Sequence, residues 1–330
     1  MRRAWRPGRS WRTRDDRVAA ALGVRPREVM FCSGASEAIA TVGHASIGHH
    51  VLAAVEHSAV RSWAARRPHT IVGVDGVGRV DPADLLDAAR ADTSIVHLQW
   101  ANHEVGTIQP VAEVVERCRE RRLPVHVDAA QAVGHLPTDL GALGADYVSI
   151  SGHKFGGPSG SGALVIRRGV RPTPLIVGGD QERARRAGME SVVTIAGFAA
   201  ALDEAVAALS TDGERERNLT RPVIDWAVDT PGISVLGDPS DRAPHLVCLA
   251  IEGLEPQPVL IGLDRAGVAV HSGNSCSSEA LEPSPVLAAM GVDAHRSLRI
   301  SMGWSTTPDD VTTMLGALTG VLDELRSLRT

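Results

Sequence analysis

A single lysine, Lys154, occurs among the 330 residues, in the segment SGHKFGGPSG at residues 151–160. A codon bias toward arginine explains why lysine is scarce but not why this one is kept. Arginine can replace lysine wherever a solvated positive charge suffices, but a guanidinium stays protonated and does not attack carbonyl carbons. A lysine amine can form a covalent bond with an aldehyde. We therefore treat Lys154 as a candidate nucleophile rather than as an ordinary surface lysine.

The elements that must position this lysine follow from the apolar pattern. Short runs rich in valine and isoleucine alternate with segments of helical period, which is the pattern of a parallel sheet covered by helices. DPADLLDAARA and PVAEVVERCRERR are predicted helices with proline near the start, and a last helix begins at Thr307, where Asp310 completes a capping box. Seven runs are predicted to be strands: EVMFCSG, HHVLAAVEH, TIVGVDG, SIVHLQWAN, LPVHVDAAQ, DYVSISGHK and GALVIRRG.

Polar residues follow five of these strands, and ligands of open α/β sheets bind beyond the carboxyl ends of the strands. After the first strand, small residues open a helix, where free N–H groups and the helix dipole favour a phosphate. One such residue is more often a cap or a surface side chain, but five sites are harder to explain in that way. They contain residues 33–37, Glu56 and His57, residues 102–104, Asp128 and Gln131, and residues 151–154.

Together these sites supply what pyridoxal phosphate (PLP) requires: a phosphate cradle, a lysine for the aldehyde, a carboxylate for the pyridine nitrogen and a flat side chain over the ring. The sequence around them resembles the cysteine desulfurases, fold type I enzymes of the class V aminotransferase group. The resemblance runs from about residue 17 to the C-terminus. It is carried by FCSGASEA, EHSAV, NHEVGTIQP, HVDAAQAVGHLPTDLG, SISGHKFGGPSGSGAL, GGDQERARRAG, HSGNSCSSEALEPSPVL and LRISMGWSTT.

The resemblance implies a role around the cofactor for each matching residue. Lys154 would bind the aldehyde and later move the proton of the substrate's Cα. Asp128 would keep the pyridine nitrogen protonated, Gln131 would contact the ring oxygen, and His57 would stack on the ring and assist proton transfer. The remaining cofactor contacts implied in this way are Ala35, Ser36, His103, Ser151 and His153.

Substrate binding and sulfur transfer are implied in the same way. Arg299 would grip the substrate carboxylate with its bidentate fork, and Asn102 and His103 would lie beside it. Cys276, in a segment of glycine and small polar residues, would attack the substrate's sulfur and carry it as a persulfide. The other cysteines lie in apolar segments and are expected to pack as small hydrophobic side chains. They are Cys32, Cys118 and Cys248.

The sequence departs from the family pattern in four places. Nothing corresponds to the strand and loop with which family members normally begin, so we expect either a start upstream or a more open site. His103 stands where the family has asparagine, and Met189 stands where a threonine reaches the partner's phosphate. The segment between Glu37 and Glu56 is shorter than usual, which we expect to trim a surface helix. Apart from these four departures, Ser36 stands where the family usually has threonine and keeps the hydroxyl.

The fold class implied by the resemblance is α/β, a fold type I PLP-dependent transferase. A large domain with a mainly parallel seven-stranded sheet sandwiched by helices is expected, followed by a smaller α+β C-terminal domain. Residues 1–16 form a basic N-terminal segment, residues 17–212 the PLP-binding domain, and residues 213–330 the small domain with the Cys276 loop. We place the boundary at the polar stretch STDGERER, residues 210–217.

Composition excludes several classes of function. A net charge of -5 and a pI near 6.2 give no general attraction to nucleic acid or to anionic membranes. No apolar run approaches the roughly 20 residues of a membrane span, and no signal peptide is apparent, so we expect a cytoplasmic protein. The cysteines have no CxxC spacing, and no metal site is predicted. From the family we expect a homodimer, with GGDQERARRAG near the partner's cofactor.

Three functions remain open at this point. The first is a desulfurase that converts L-cysteine to L-alanine and passes the sulfur from Cys276 to an acceptor protein of unknown identity. The second is another PLP-dependent lyase, acting on selenocysteine, cystine or a sulfoxide-bearing amino acid. The third is a catalytically silent homologue. Cys276 favours the first function, because a simple C–S lyase needs no such thiol.

Overall fold

Two sheets organise the chain, one of seven strands and one of three. The structure is a computed structural model that describes residues 9–272, 283–293 and 295–328. All seven predicted strands are present. They are β1 (Val29–Cys32), β2 (His49–Ala53), β3 (His69–Val72), β4 (Thr93–Gln99), β5 (Val125–Asp128), β6 (Tyr147–Ser151) and β7 (Gly162–Ile166).

The large sheet has the strand order β1-β7-β6-β5-β4-β2-β3. Strand β7 runs antiparallel to both of its neighbours, and the other pairs are parallel. Apolar clusters cover both faces: Ala163 and Val165 of β7 belong to one, and Leu164 and Ile166 to the other. Burial on both faces explains why these strands are nearly continuous apolar runs. The prediction of a mainly parallel sheet is confirmed.

The helices include the three that the sequence predicts. The last helix begins with the predicted capping box, in which Thr307 and Asp310 satisfy each other's backbone N–H groups. The helices are α1 (Arg9–Ala21), α2 (Ala35–Ala45), α3 (Ser58–Ala64), α4 (Pro82–Asp87), α5 (Val111–Glu120), α6 (Leu140–Leu143), α7 (Gln181–Ala184), α8 (Val192–Asp229), α9 (Pro256–Arg265), α10 (Pro285–Ala289) and α11 (Pro308–Ser327).

The smaller sheet has its own core. Its strands β8 (Ile233–Leu236), β9 (Leu246–Ile251) and β10 (Ser297–Ser301) are antiparallel, in the order β10-β9-β8. Helices α9 and α11 pack on it, with Val259 and Leu318 among the fully buried side chains of this core. An antiparallel sheet covered by helices is the smaller α+β unit that the resemblance implies.

The polar stretch at residues 210–217 does not form a loop between the two units, because it lies inside the continuous helix α8. Glutamate and arginine are good helix formers, so a polar stretch of this composition can extend a helix. Phe198 and Leu202 of α8 pack into the core of the large sheet, and Leu219 and Val223 into the core of the small one. By length and composition α8 is apolar enough to cross a membrane, and its buried side chains pack into both cores.

Helix α1 begins inside the basic N-terminal segment and ties it to α8. Val18 of α1 is fully buried in the core of the large sheet. Arg14 donates to the Val192 carbonyl at 3.0 Å, and Arg17 pairs with Asp203. These contacts connect the start of the described chain to the helix that both cores share.

Two glycines bring strand β7 against the start of α2. Gly34 has φ 154°, in the region that favours glycine, and precedes the helix. A Cβ on Gly162 would lie 2.4 Å from the Gly34 Cα and 2.6 Å from the Ile150 carbonyl oxygen. Only glycine permits so close an approach of the two backbones. The position of the α2 N-terminus therefore depends on the residue at 162.

Replacing Gly162 with alanine should lower the free energy of unfolding by at least about 1–3 kcal/mol, because the added methyl group overlaps backbone atoms that cannot rotate away. Urea unfolding followed by circular dichroism measures this change. Gly316→Ala is the control: no atom lies within 4 Å of its added Cβ, and alanine in a helix should stabilise by about 0.5–1 kcal/mol. Equal effects of the two changes would contradict this account.

Candidate active site

A cavity of about 510 Å³ opens beyond the carboxyl ends of strands β1, β2, β4, β5 and β6. This volume is within the range of small-molecule sites. Parallel strands place the residues that follow them at one edge of a sheet, so positions far apart in sequence meet here. The predicted residues that line the cavity are Ala35, Ser36, His57, His103, Asp128, Gln131, Ser151, His153, Lys154 and Arg299.

The first turn of α2 forms one end of the cavity. The N–H groups of a first turn have no partners within their own helix, and Ser36 adds a hydroxyl there. On the facing loop, the Ser151 hydroxyl and His153 Nδ1 are 2.9 Å apart. Burial and the neighbouring Lys154 lower the pKa of His153, so its ring is neutral at neutral pH. These groups form a donor set that suits a phosphate.

Glu37, which the sequence analysis did not single out as a site residue, fixes the start of α2. Its carboxylate accepts the Ser33 N–H at 2.9 Å and the Arg186 Nε–H at 2.9 Å. Burial raises the pKa of Glu37, but the hydrogen bonds from Arg186 and Ser33 outweigh burial and leave the pKa below its usual value. Arg186 lies in the GGDQERARRAG segment, so this ion pair connects that segment to the cavity.

Asp128, the last residue of β5, presents a buried carboxylate at the base of the cavity. Its Oδ1 accepts hydrogen bonds from the Ser149 hydroxyl at 3.0 Å and from the Ala130 N–H at 3.1 Å. Two donors on one oxygen fix the plane of the carboxylate. The position suits the role that the resemblance assigns to Asp128.

Glu56 is a second buried carboxyl group beside the cavity. Its Oε1 accepts the Gln99 N–H at 2.7 Å, while Oε2 is buried without a hydrogen-bond partner among the described residues. Burial raises the pKa of Glu56 to about 8, against the opposing effect of the Gln99 hydrogen bond, and the charge of Asp128 raises it further. At neutral pH this side chain is therefore mostly protonated and uncharged.

Replacing Glu56 with glutamine should remove a pH dependence of stability. The folded chain keeps the proton of Glu56 up to about pH 8, whereas the unfolded chain releases it above the ordinary pKa of 4.5. The stabilisation is thus complete below the ordinary pKa and is lost as the pH rises through the folded pKa. Between these two pKa values, the free energy of unfolding of the parent should fall by about 1.4 kcal/mol per pH unit as the pH rises.

Urea unfolding from about pH 5 to about pH 8 measures this slope. The Glu56→Gln variant should gain stability relative to the parent as the pH rises. Glu204→Gln, at an exposed position of α8, should follow the parent. If parent and Glu56→Gln have parallel profiles, Glu56 does not carry this proton.

Lys154 lies on a short 3₁₀ turn, Gly152–Phe155, directly after β6. Its carbonyl faces His135 Nε2 at 2.9 Å, and the other ring nitrogen of His135 faces Glu216 Oε1 at 3.2 Å. Both ring nitrogens of His135 are thus in contact with oxygen atoms of other segments. These contacts anchor the turn that carries Lys154.

Gln131 is held by a third member of this group, His245. His245 Nε2 lies 3.3 Å from Gln131 Oε1. The ring of His245 stacks on that of His135, with centroids 3.7 Å apart and an angle of 23° between the ring planes. His135, Glu216 and His245 could offer three metal ligands, with atoms within 4.8 Å of one another. Stacked rings cannot both point their lone pairs at one ion, so this group acts as a hydrogen-bonded support for Lys154 and Gln131. The sequence analysis missed it, because these residues come from three distant segments.

Arg299 and His103 form the opposite wall of the cavity. Arg299 donates from its NH1 nitrogen to the His103 carbonyl at 3.0 Å, and its backbone pairs with His271. The rings of His103 and His57 meet edge to face at 5.1 Å. His57 caps α3 by accepting the Ala59 N–H at 3.1 Å, which orients its ring. The guanidinium thus borders the cavity where a substrate carboxylate would bind.

Asn102 is not part of this wall, contrary to the prediction. It is 1% exposed and does not line the cavity. Its side-chain oxygen accepts the N–H groups of Glu104 and Val105, at 2.8 and 2.9 Å, and its amide donates to the Val55 carbonyl. The side chain therefore builds the turn that presents His103, a use that asparagine commonly has in turns.

The described cysteines are poor nucleophiles. Burial raises the pKa of each thiol to about 12, so almost none is ionised at neutral pH. These cysteines lie in a strand or a helix, as predicted, and are Cys32, Cys118 and Cys248. Cys276 lies outside the described residues, in the gap between residues 272 and 283.

Both ends of that gap are anchored beside the cavity. On one side, His271 pairs with Arg299. On the other, Ser284 donates its hydroxyl to Glu104 Oε2 at 2.6 Å, and Glu104 follows His103.

The residues of the cavity fit PLP. A first helical turn with added hydroxyls suits its phosphate, the sole lysine lies on the adjoining loop, and the Asp128 carboxylate is fixed at the base. The imidazole of His57 faces the space between them, and the buried Gln131 supplies an amide.

Comparison with known proteins agrees with this geometry. Residues 6–314 match the family model described as aminotransferase class-V. The chain is 36% identical over 327 residues to the cysteine desulfurase IscS of Methanosarcina thermophila, with 94% of this chain and 81% of that protein covered. It is 37% identical over 329 residues to the cysteine desulfurase IscS of Dictyoglomus turgidum, with 95% and 84% covered.

Comparison with a solved structure indicates the same family. The X-ray structure of a NifS-like protein from Rickettsia africae superposes with a TM-score of 0.88 and 28% identity, covering 95% of this chain and 88% of that one. The sheet order, the helix-covered faces and the small antiparallel sheet are therefore those of fold type I, as the sequence predicts. The chain belongs to the class V aminotransferase family and, within it, to the cysteine desulfurases.

Proposed function

We propose that this chain is a PLP-dependent desulfurase that converts L-cysteine to L-alanine, holds the sulfur as a persulfide on Cys276 and passes it to an acceptor protein. The observation that carries the proposal is the meeting of Lys154, Asp128, His57 and Arg299 in one cavity. The bound cofactor supplies an electron sink that makes the Cα and Cβ positions of the substrate reactive. The residues of the chain supply the rest.

Binding and proton movement are divided among four side chains. Arg299 holds the substrate carboxylate through two parallel N–H groups. Lys154 holds the cofactor and moves the proton at the substrate's Cα. Asp128 keeps a proton on the pyridine nitrogen, and His57 stacks on the ring and assists proton transfer. The contacts of His135 with Glu216 and with the Lys154 carbonyl fix the turn of Lys154, so that its amine returns to one position.

Sulfur transfer requires a thiolate that can reach the substrate. In this step Cys276 attacks the substrate's Sγ, the S–Cβ bond breaks, and Cβ gains a proton. L-cysteine and the Cys276 thiol thus become L-alanine and a Cys276 persulfide, with no external oxidant. The buried thiols of Cys32, Cys118 and Cys248 cannot substitute, since burial keeps them protonated.

A homodimer is part of the proposal, supported by an exposed apolar surface. Ala187 N–H donates to the Ile176 carbonyl at 3.0 Å and joins two segments of this surface. Val177, Met189 and Val193 on these segments are 78%, 90% and 84% exposed. Large exposed apolar side chains that lie together usually mark an interaction surface. The segments include the region that, in the family, faces the partner's cofactor.

The proposed location is the cytoplasm, and the proposed partners are L-cysteine and a sulfur-acceptor protein. The described cysteines are unpaired, and a thiol that forms a persulfide must stay out of a disulfide. A reducing compartment meets both conditions. A direct nucleic-acid or membrane partner is not proposed, because the net charge is -5.

The test is product analysis with the purified chain, added PLP, L-cysteine and a thiol reductant. We expect alanine and sulfide in equal amounts. Pyruvate and ammonia in place of alanine would show an elimination and support the simple lyase instead. Alanine from L-selenocysteine but not from L-cysteine would move the assignment to the selenium substrate. PLP binding with no product from either substrate would indicate the silent homologue.

A further inference from the structure

Three buried histidines lie side by side in the large sheet beneath the cavity: His50 in β2, His97 in β4 and His126 in β5. We call them the histidine chain. The strands are neighbours in the order β5-β4-β2, and His97 pairs with His126 in the sheet register. Each histidine is at most 1% exposed. The proposed mechanism does not use them, and three buried imidazoles in contact are costly unless they are hydrogen-bonded.

Hydrogen bonds connect the histidine chain to Asp128 at one end and to a backbone carbonyl at the other. The contacts run without a break from the active site to the far side of β2. In order they are Ser149 Oγ to Asp128 Oδ1 at 3.0 Å, His126 Nε2 to Ser149 Oγ at 3.2 Å, His97 Nδ1 to His126 Nδ1 at 3.0 Å, His97 Nε2 to His50 Nδ1 at 3.1 Å, and His50 Nε2 to the Ser46 carbonyl at 3.0 Å.

Counting protons shows that this path has a direction. The five contacts need five protons, and both ends, a carboxylate and a carbonyl, only accept. Three neutral imidazoles and one hydroxyl supply four. One contact therefore lacks a proton, and the N–H and O–H groups on each side of that gap point away from it. With the gap at the Ser46 carbonyl all of them point toward Asp128, and with the gap at Asp128 all of them point toward Ser46.

The charges around the path decide its direction. Burial lowers the pKa of His126 to about 4, and that of His97 well below its usual value, so neither holds a fifth proton at neutral pH. Burial also lowers the pKa of His50, as do the nearby Arg67, His49 and His69, and these effects outweigh the contact with the Ser46 carbonyl, which acts in the opposite direction. A carboxylate accepts a hydrogen bond more strongly than a carbonyl does. The gap should therefore lie away from Asp128, and we place it at the neutral Ser46 carbonyl, so that all protons point toward Asp128.

We propose that His126, His97 and His50 are positioning residues for Asp128: they direct the Ser149 hydroxyl onto Asp128 Oδ1 and so hold the carboxylate for the cofactor's pyridine nitrogen. The role of holding Asp128 for the cofactor rests on the proposed function. The direction of the proton path does not depend on that function. In this direction the protons lie on His126 Nε2, His97 Nδ1 and His50 Nδ1. In the opposite direction they lie on the other nitrogen of each ring.

Nitrogen-15 NMR of histidine-labelled full-length chain without PLP tests the direction, because it reports which ring nitrogen carries the proton. His50→Gln and His97→Gln variants assign the signals. We expect His97 to be protonated on Nδ1. Protonation of His97 on Nε2, or on both nitrogens, at neutral pH would overturn the proposal. The measurement involves no turnover, so it is separate from any failure of the desulfurase assignment.

The Ser149→Ala variant tests the link to Asp128. Without that hydroxyl the three imidazoles have three protons for the three remaining contacts, all of which are satisfied when the path points toward Ser46. The proton of His97 should therefore move from Nδ1 to Nε2, although His97 does not touch Ser149. Ser149→Thr, which keeps the hydroxyl, should keep it on Nδ1. Ser94→Ala is the control, since Ser94 in β4 bonds only the His49 carbonyl outside the path.

Affinity for PLP tests the positioning role. Ser149→Ala should raise the Kd of PLP about tenfold, which is the typical effect of one lost hydrogen bond to a charged group. Ser149→Thr and Ser94→Ala should bind like the parent. If the proton of His97 stays on Nδ1 in Ser149→Ala, Asp128 does not set the direction of the path. If the Kd of PLP is unchanged in this variant, the path does not position Asp128. Either result would overturn the proposal.

Discussion

Replacing Lys154 with arginine should abolish the covalent attachment of PLP and lower alanine formation by at least about 10²-fold, the lower limit for loss of a positioned proton-transfer group. Arginine keeps the positive charge at the 3₁₀ turn but cannot bond covalently to the aldehyde. Borohydride reduction followed by mass spectrometry of tryptic peptides measures the attachment. In the parent, the label should be found on the peptide that contains Lys154.

The composition of this chain makes the result of the labelling experiment easy to interpret. Because Lys154 is the sole lysine, no second lysine can take up the label when it is replaced. Arg168→Ala, in the exposed turn after β7, serves as the control for a lost positive charge and should retain both label and activity. Label on an internal peptide of Lys154→Arg, or activity near that of the parent, would contradict the role of Lys154.

Replacing Cys276 with serine should abolish alanine formation from L-cysteine while leaving PLP attachment intact. A hydroxyl is a far weaker nucleophile toward sulfur than a thiolate, so the S–Cβ bond of the substrate should not break. Alanine analysis measures the first effect, and the absorbance of the bound cofactor the second. Incubation of the parent with L-cysteine, followed by alkylation, should also reveal a persulfide on Cys276 that the variant lacks.

The two buried cysteines, Cys118 and Cys248, provide matched controls. Burial raises the pKa of Cys118 and Cys248 to about 12, so at neutral pH their thiolate fraction is on the order of 10³-fold below that of an ordinary thiol. Replacing either cysteine with alanine should leave the rate of L-alanine release unchanged, once differences in protein stability are allowed for. A Cys276→Ser variant that still releases alanine would refute the persulfide mechanism, whatever the controls show.

Several features of the fold could be predicted from the sequence, because they depend on local patterns. The strands of the large sheet are buried on both faces and are therefore apolar runs of recognisable length. Thr307 and Asp310 lie within one turn of each other, so their capping box is visible in the sequence. The residues after the strands could be grouped into one site, because parallel strands end at one edge.

Other features could not be predicted, because they depend on contacts between distant segments. Asn102 looks like a site residue, but the turn that it builds takes up its amide. Residues 210–217 look like a linker, but both flanking halves of α8 are held in cores, so the helix continues through them. His135, Glu216 and His245 have no common motif and meet only through packing.

The sequence by itself determined which side chains the proposed chemistry uses: a sole lysine for the aldehyde, an acid for the pyridine nitrogen, and a cysteine in a polar segment. These are properties of single side chains and their near neighbours. Only the tertiary structure decided how the side chains are held. The path from Asp128 through the histidine chain exists because β5, β4 and β2 are adjacent, and strand order is set by which faces bury each other rather than by any local pattern.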